Sequence, residues 1–172
     1  MEIRPLREND DRAAFHSGDS DVDRFFHRYA GQNQFRHHIG ATYVAVEEGQ
    51  ILGYATMAPG HLEIEGLPVS IRNRLPRYPL PILRLARLAS GMGARGKGIG
   101  TALLRFVFRL ALKMSDEYGC WGVVVDAKAE SVGFYQRLGF MKLEVVEGAP
   151  EARPRPVEMF LQIRDIEDAE RG

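Results

Sequence analysis

The chain has 172 residues, of which 45% are apolar and 27% charged, and its 23 lysines and arginines balance its 23 aspartates and glutamates. This length fits one domain that can bury a core without disulfides or a structural metal. The single cysteine, Cys120, excludes an intramolecular disulfide and a cysteine-based zinc cluster. Because no run of about 18 residues is apolar and the N-terminus is too charged for a signal peptide, we expect a cytoplasmic protein without a membrane partner.

The zero net charge hides an uneven distribution along the chain. Residues 66–115 contain ten basic residues and no acidic one, whereas residues 1–65 contain eleven acids and six bases. Residues 116–172 contain twelve acids and seven bases. Solvated arginines that pair with acids from elsewhere would explain this pattern, and so would a middle third that faces an anion. A balanced total therefore does not exclude an anionic partner.

The first half of the chain predicts a mixture of strands and helices. A short strand is expected at Ile3–Leu6, and Asp19 or Ser20 is expected to cap a helix that extends to about Asn33. Residues 41–58 predict a hairpin that turns at Glu48-Gly49. A short helix at 69–74 and a strand at 82–90 follow.

The second half continues the alternation after a glycine-rich loop. Apolar residues at helical spacing predict a long helix that begins after Gly98, with one apolar face formed by Ile99, Leu103, Phe106, Val107, Leu110 and Met114. Residues 121–127 predict a buried strand, residues 129–138 a short helix, and residues near 140–147 and 157–163 two more strands around a Pro-rich loop at 148–156. We expect one domain at 1–165 and an acidic tail at 166–172 that frays.

The segment from Arg87 to Thr101 is the most informative one. A predicted strand leads into a loop with glycines at 91, 93, 96, 98 and 100, and a helix follows at once. Glycines allow the backbone to take positive φ and to approach a ligand closely. Successive N–H groups followed by a helix N-terminus bind anions, and the helix dipole adds to the attraction. With the charges of Arg95 and Lys97, the loop predicts a diphosphate site.

Two common phosphate motifs fit this loop poorly. A Walker A loop requires Ser or Thr after its lysine, but Gly98 follows Lys97. Gly91, Gly93 and Gly96 have the spacing of a dinucleotide fingerprint. However, the helix is expected to begin two residues too late, and no acidic residue stands about 20 positions on to bind a ribose.

The stretch from Arg95 to Gly100, RGKGIG, resembles the [Q/R]-x-x-G-x-[G/A] loop of the GNAT acetyltransferases, which a long helix follows. Residues 123–140, VVVDAKAESVGFYQRLGF, resemble the next strand of that family and the short helix that carries a Phe-Tyr pair. They also contain the Gly-Phe pair that follows this helix in the family. Residues 15–34, 41–60 and 74–89 resemble the GNAT toxins of bacterial type II toxin–antitoxin pairs. The resemblance covers about residues 10–163.

This resemblance implies an α/β GNAT fold, a mixed twisted sheet of six or seven strands flanked by helices and splayed at the mid-chain strand. It also implies acetyl transfer from acetyl-CoA to an amine, without a metal. The strand Leu88-Ala89-Ser90 would pair with the pantetheine arm, and a backbone N–H near Leu88 would lie beside the thioester carbonyl oxygen. The backbone N–H groups expected to hold the CoA diphosphate belong to Arg95, Gly96, Lys97, Gly98, Ile99, Gly100 and Thr101.

Tyr135 matches the family tyrosine that lies beside the CoA sulfur, which implies a general acid for the leaving thiolate. A phenol with a pKa near 10 stays protonated at neutral pH and can donate to a thiolate whose conjugate acid has a pKa of about 8.5–9. The alternative is that Phe134 and Tyr135 only pack the short helix onto the sheet.

In the toxins, the acceptor is the α-amino group of an aminoacyl-tRNA, and the resemblance further implies a homodimer and a small ribbon-helix-helix antitoxin. An α-amino group, with a pKa of about 7.7–8, is partly neutral at neutral pH and needs no strong base, unlike a lysine with a pKa near 10.4. Two alternatives stay open: an acetyltransferase for a small-molecule or protein amine, and a non-catalytic module that binds CoA or a partner.

Three further residues are weaker candidates for substrate contacts. Arg84 and Arg87 could bind a phosphate or carboxylate near the acyl site, or could be structural. Asn33 lies in a predicted helix that resembles the acceptor side of the family. The histidines at 16, 27, 37 and 38 lack the usual ligand spacing, so we expect no metal site. Cys120 is expected to be a buried small residue without a catalytic role.

Overall fold

The computed structural model describes residues 1–144 and 156–171. These residues form seven strands in one sheet, in the order β1-β2-β3-β4-β5-β7-β6, and five α-helices. The strands are β1 (Glu2–Pro5), β2 (Ala41–Glu47), β3 (Gln50–Leu62), β4 (Leu80–Ser90), β5 (Gly122–Ala127), β6 (Met141–Lys142) and β7 (Val157–Gln162). The helices are α1 (Ser20–Arg24), α2 (Val69–Arg72), α3 (Ile99–Glu117), α4 (Val132–Arg137) and α5 (Ile163–Arg171). The mixed α/β class with six or seven strands is confirmed.

The contacts divide the chain into two compact units. Unit 1 comprises Met1–Ala58 and Leu85–Arg109, and unit 2 comprises Pro59–Arg84 and Leu110–Gly172. Strands β3 and β4 and helix α3 contribute residues to both. The single-domain interpretation of residues 1–165 stays a prediction.

Unit 1 is built on the antiparallel strands β1, β2 and β3. The turn between β2 and β3 has positive φ at both Glu48 and Gly49, as a tight two-residue hairpin requires. An aromatic cluster fills the core: Phe26 stacks on Tyr54 with ring centroids 4.4 Å apart, and Phe15 packs edge-on against both rings. The Tyr54 hydroxyl donates to the Val22 carbonyl over 2.7 Å, which fixes α1 to β3.

The helical segment of unit 1 differs from the predicted helix. Asp19 caps α1 as expected, because its side chain accepts from the N–H groups of Asp21 and Val22. Beyond α1, however, Phe25–Tyr29 and Gln32–His37 are π-helical, and the segment ends at His38 with a left-handed φ of 54°. The predicted end near Asn33 was therefore too early, and the i→i+5 hydrogen bonding was not foreseen.

Unit 2 contains the antiparallel strands β5, β7 and β6, with Asp126 of β5 directly opposite Glu158 of β7. Its core joins Leu62, Leu67, Ile82, Val124 and Phe160, all of them buried. Helix α5 begins directly after β7 and buries Ile163 and Ile166, while residues 168–171 are helical and exposed. The frayed acidic tail at 166–172 stays a prediction. Positions 145–155, which include most of the predicted Pro-rich loop, lie outside the described residues.

No helix within residues 1–144 and 156–171 is long and apolar enough to cross a membrane.

Candidate active site

The glycine-rich loop follows β4 in unit 1 and leads into α3, as the sequence predicted. A short 3₁₀ turn at Met92–Ala94 is followed by an extended Arg95, and Gly96 and Gly98 take φ values of +80° and +74°. A side chain disfavours that left-handed conformation, so glycine is needed at both positions for conformational reasons. A Cβ on either residue would meet no atom within 4 Å, so the loop leaves open space above its backbone.

The N–H groups of this loop are available to a ligand. The first backbone bond of α3 runs from Ala102 N–H to the Gly98 carbonyl, which leaves the N–H groups of Ile99, Gly100 and Thr101 without intrahelical acceptors. Among the described residues, the N–H groups of Gly96 and Gly98 also make no hydrogen bond. Five neighbouring donors at a helix N-terminus form an anion cradle.

The loop is anchored to its own unit at three points. Gly91 N–H donates to Leu52 O over 2.8 Å, and Met92 N–H donates to His16 O over 2.8 Å. Arg95 donates from Nη2 to the Ser17 carbonyl over 2.6 Å. This guanidinium therefore holds the N-terminal segment against the loop, while Arg95 itself stays exposed. From the sequence, we expected the Arg95 side chain to contribute only a positive charge to the loop.

A second set of contacts secures that N-terminal segment. The Asp23 carboxylate accepts from the Ser17 backbone N–H over 3.0 Å and from the Ser17 hydroxyl over 2.7 Å. His27 is 2.7 Å from the Phe15 carbonyl through Nε2, which requires a proton on that nitrogen. Sequence reasoning missed this network, because nothing in the residue types distinguishes Ser17 or Asp23 from ordinary capping residues.

Gly53 lies against the start of the cradle. A Cβ at this position would be 2.7 Å from both the Ala89 carbonyl oxygen and the Ile99 Cγ2 atom. We expect Gly53→Ala to destabilise the fold by about 1–3 kcal/mol, as overpacking does, and to weaken acetyl-CoA binding because β4 and α3 must shift. Thermal unfolding and titration with acetyl-CoA would measure both effects.

Gly93→Ala is the matched control for that substitution. Its Cβ would meet no atom within 4 Å, and its φ is not positive, so stability and binding should stay near wild type. Equal effects of the two substitutions would contradict the assigned packing role of Gly53.

Tyr135 lies on α4 in unit 2 and is buried, with 6% of its surface exposed. Its ring packs edge-on against Phe134 and Phe140, at centroid distances of 5.1 and 5.4 Å. Burial raises the pKa of Tyr135 to about 12, so the phenol stays protonated at any working pH. Within residues 1–144 and 156–171 its hydroxyl makes no hydrogen bond, whereas the hydroxyl of the other fully buried tyrosine, Tyr54, is bound to Val22. The Tyr135 proton is therefore free to be donated.

The three weaker substrate candidates separate in the structure. Asn33 and Arg87 line the same cavity of unit 1, and the Arg87 guanidinium lies 3.9 Å above the Phe25 ring. Arg84 lies in unit 2, where it donates to Asp126 over 3.2 Å and lies 3.7 Å from Glu158. Burial raises the pKa of the Glu158 carboxyl. A substrate role for these residues stays a prediction, and that of Arg84 would require an arginine already bound to a carboxylate.

Among the described residues, the cysteine and the histidines form no second nucleophilic or metal-binding site. The Cys120 thiol is buried beside the Gly122 carbonyl, and burial raises its pKa, which disfavours the nucleophilic thiolate. Across the described part of the chain, no group of three or more His, Cys, Asp or Glu side chains is placed to hold a metal ion.

Comparison with known proteins agrees with the loop and the sheet. Residues 38–142 match the family model of the acetyltransferase (GNAT) domain. The chain is 28% identical over 140 residues to a tRNA-acetylating toxin of Mycobacterium tuberculosis (strain ATCC 25618 / H37Rv), an alignment that covers 80% of this chain and 82% of the toxin.

Two solved structures are similar over almost the whole chain. AtaT complexed with acetyl-methionyl-tRNAfMet has a TM-score of 0.84 and 26% identity, with 98% of each chain covered. AtaTR bound with AcCoA has a TM-score of 0.79 and 26% identity, with 98% of this chain and 96% of that chain covered. Since the matched domain spans more than half of the sequence, the chain belongs to the GNAT acetyltransferase family.

Proposed function

We propose that the chain is an acetyl-CoA-dependent N-acetyltransferase that acetylates the α-amino group of aminoacyl-tRNA in the cytoplasm and thereby blocks translation. Two relatives support the acceptor: one is a tRNA-acetylating toxin, and the other, AtaT, is complexed with an acetylated aminoacyl-tRNA. AtaTR bound with AcCoA supports the donor. The resemblance to the toxins also supports a homodimer and a ribbon-helix-helix antitoxin as partners.

The observation that carries this proposal is the open cradle of the loop between β4 and α3. The two phosphates between adenosine and pantetheine place several oxygens within reach of neighbouring N–H donors, which Gly96, Gly98, Ile99, Gly100 and Thr101 supply. The backbone N–H of Lys97 is not among them, because it donates to the Ala94 carbonyl over 3.2 Å. Lys97, which is exposed at the same loop, adds a full positive charge. Leu88, Ala89 and Ser90 end β4 immediately before the loop, so bound pantetheine would run along this strand.

The reaction needs a nucleophile, a polarised carbonyl and a proton for sulfur. The neutral amine attacks the thioester carbon, and the backbone N–H near Leu88 stabilises the resulting oxyanion, a contribution of about 3–4 kcal/mol for one such donor. The carbon–sulfur bond then breaks, and Tyr135 gives its proton to the leaving thiolate. The tyrosinate recovers a proton from the acylated nitrogen, so the products are the amide, the free thiol and neutral Tyr135.

The raised pKa of Tyr135 bears on its protonation state before the reaction and on its basicity afterwards. A phenol with a pKa of about 12 is fully protonated before the reaction begins. Once it has donated, the phenolate is a strong base that can take the proton which the acylated nitrogen must lose.

The basic side chains of α3 support a nucleic-acid partner. Arg105, Arg109 and Lys113 are exposed and four residues apart, so they lie on one face of the helix. Within residues 1–144 and 156–171 none of them forms an ion pair. Unpaired cations on one helix face can bind a phosphate backbone, in a salt-dependent manner.

Acetyl transfer to charged tRNA is the direct test. We expect labelled acetyl groups from acetyl-CoA to appear on aminoacyl-tRNA and not on uncharged tRNA, and to leave with the amino acid when the ester is hydrolysed. A lysine-containing peptide is the competing acceptor. Labelling of that peptide without labelling of any charged tRNA would replace this proposal by an acetyltransferase for protein amines.

A further inference from the structure

Unit 1 contains a partly enclosed cavity of about 120 Å³ that the loop mechanism does not use. Its walls come from the helical segment of residues 25–39, from β2 and β3, and from β4. Most of the lining is apolar: Phe25, Ala30, Ile39, Met57, Ala58 and Ala86.

The π-helical segment shapes this cavity. The Ala30 N–H donates to the Phe25 carbonyl, five residues earlier, and both residues line the cavity. In an α-helix, residues five apart lie on different faces, so the π-turn is what directs both toward the same space. Asn33 follows on this wall, and its carbonyl accepts from the N–H groups of both His38 and Ile39. Such π-turns are rare and often occur at functional sites.

The polar groups of the cavity decide which charge it accepts. The hydroxyls of Thr42 and Thr56 are buried and share one hydrogen bond of 2.7 Å, in which one donates and the other accepts. Arg87 carries the single formal charge of the lining residues, and its guanidinium is held over the Phe25 ring. Because the described wall holds a cation and no acid, a cationic guest is repelled, and the apolar majority of the lining favours an uncharged guest over a charged one.

The position of the cavity along β4 relates it to the acyl group. Ala86 and Arg87 directly precede Leu88, whose N–H is proposed to face the thioester carbonyl. At about 3.3 Å per residue, this wall begins within about 7 Å of that N–H along the strand. A group attached to the acceptor carbon next to the amine can span that distance.

We propose that this cavity receives the side chain of the amino acid whose α-amino group is acetylated, and that it selects uncharged aliphatic side chains. This inference rests on the proposed function. A cavity of about 150 Å³ in another protein accommodates benzene, so 120 Å³ suits a guest of about four or five heavy atoms. Leucine, isoleucine and methionine meet that limit. Glycine leaves the cavity empty, tryptophan exceeds it, and lysine carries the wrong charge.

The test measures kcat/KM of the full chain with tRNAs charged with Gly, Leu, Met, Lys and Trp. We expect Leu-tRNA and Met-tRNA to react at least tenfold faster than the other three, since one methylene in an apolar pocket changes such ratios by about 10-fold or more. In Arg87→Glu, the Lys/Leu ratio should rise at least tenfold. Arg7→Glu makes the same charge change at an exposed residue of unit 1 that does not line the cavity, and should leave that ratio unchanged.

The same panel offered as amino-acid amides separates the two proposals. The same ranking with amides, but no acetylation of any charged tRNA, would refute the tRNA substrate and keep the cavity assignment. Acetylation of all five tRNAs at similar rates, or a Lys/Leu ratio that Arg87→Glu does not change, would refute the cavity assignment and keep the tRNA substrate. A chain that acetylates neither set would contradict both.

Discussion

Replacing Tyr135 by phenylalanine should lower kcat by about 10²–10⁴-fold and leave the affinity for acetyl-CoA near the wild-type value. The substitution removes only the phenolic oxygen. The ring, which packs against Phe134 and Phe140, is preserved. Because the hydroxyl makes no hydrogen bond within the described residues, no buried partner loses its bond, so the loss of turnover would report on chemistry rather than on folding. Steady-state turnover and calorimetric titration with acetyl-CoA would measure the two quantities.

Tyr118→Phe is the matched control for this substitution. Tyr118 is 72% exposed, so loss of its hydroxyl should change neither turnover nor binding. If Tyr135→Phe retains wild-type turnover, the residue is only a packing residue and the proton must come from elsewhere.

The pH profile of kcat provides an independent check on the same residue. Burial raises the pKa of Tyr135 from its ordinary value to about 12, so the acid form persists as the pH rises and is lost only near pH 12. We therefore expect turnover to rise as the amine loses its proton and then to stay level up to about pH 10. A decline centred near pH 9 in the wild type, absent in Tyr135→Phe, would show that the phenol is not protected by burial.

The parts of the fold that were predictable depend on local signals. The N-cap at Asp19, the two-residue turn at Glu48-Gly49 and the start of α3 after Gly98 each follow from a residue type at one position. The glycine-rich loop was predictable for the same reason, since its conformation is encoded by the glycines themselves. Apolar spacing placed Leu103, Val107 and Met114 correctly in the core, whereas Phe106 and Leu110 of the same predicted face are only half-buried.

The features that were missed depend on contacts between distant segments. Leu104 and Ala111 are also buried, so α3 packs on a wider face than its predicted stripe. The π-turns at Phe25–Tyr29 and Gln32–His37 have no sequence signature, because they arise where the segment wraps around the aromatic core of unit 1. The bond of Arg95 to the Ser17 carbonyl joins residues 78 positions apart, and no spacing rule predicts it. As a result, the sequence located the loop but not the network that holds it.

Replacing Gly98 by alanine should weaken acetyl-CoA binding by about tenfold or more while leaving the rest of the fold intact. The φ of +74° costs an alanine about 1–2 kcal/mol, and about 1.4 kcal/mol corresponds to a factor of ten. Since a Cβ at this position would meet no atom within 4 Å, the penalty is conformational and not steric. The backbone can relieve it by rotating toward negative φ, which would turn the N–H groups that open α3 away from the diphosphate.

Two other glycines make this result interpretable. Gly93→Ala lies in the same loop with the same open surroundings but without a positive φ, so its affinity for acetyl-CoA should match wild type. Gly49→Ala carries a similar strain, at φ +76°, in the β2–β3 turn, and should lower stability without changing that affinity. Titration with acetyl-CoA and thermal unfolding of all three variants separate the contributions.

If Gly98→Ala binds acetyl-CoA as tightly as Gly93→Ala does, the left-handed backbone at Gly98 is dispensable and the cradle is not formed by these N–H groups. If Gly98→Ala binds acetyl-CoA more weakly than Gly93→Ala and unfolds at the same temperature as Gly49→Ala, then the two strained variants carry the same backbone strain. Only the strain at Gly98, which faces the phosphates, would then lower the affinity for acetyl-CoA.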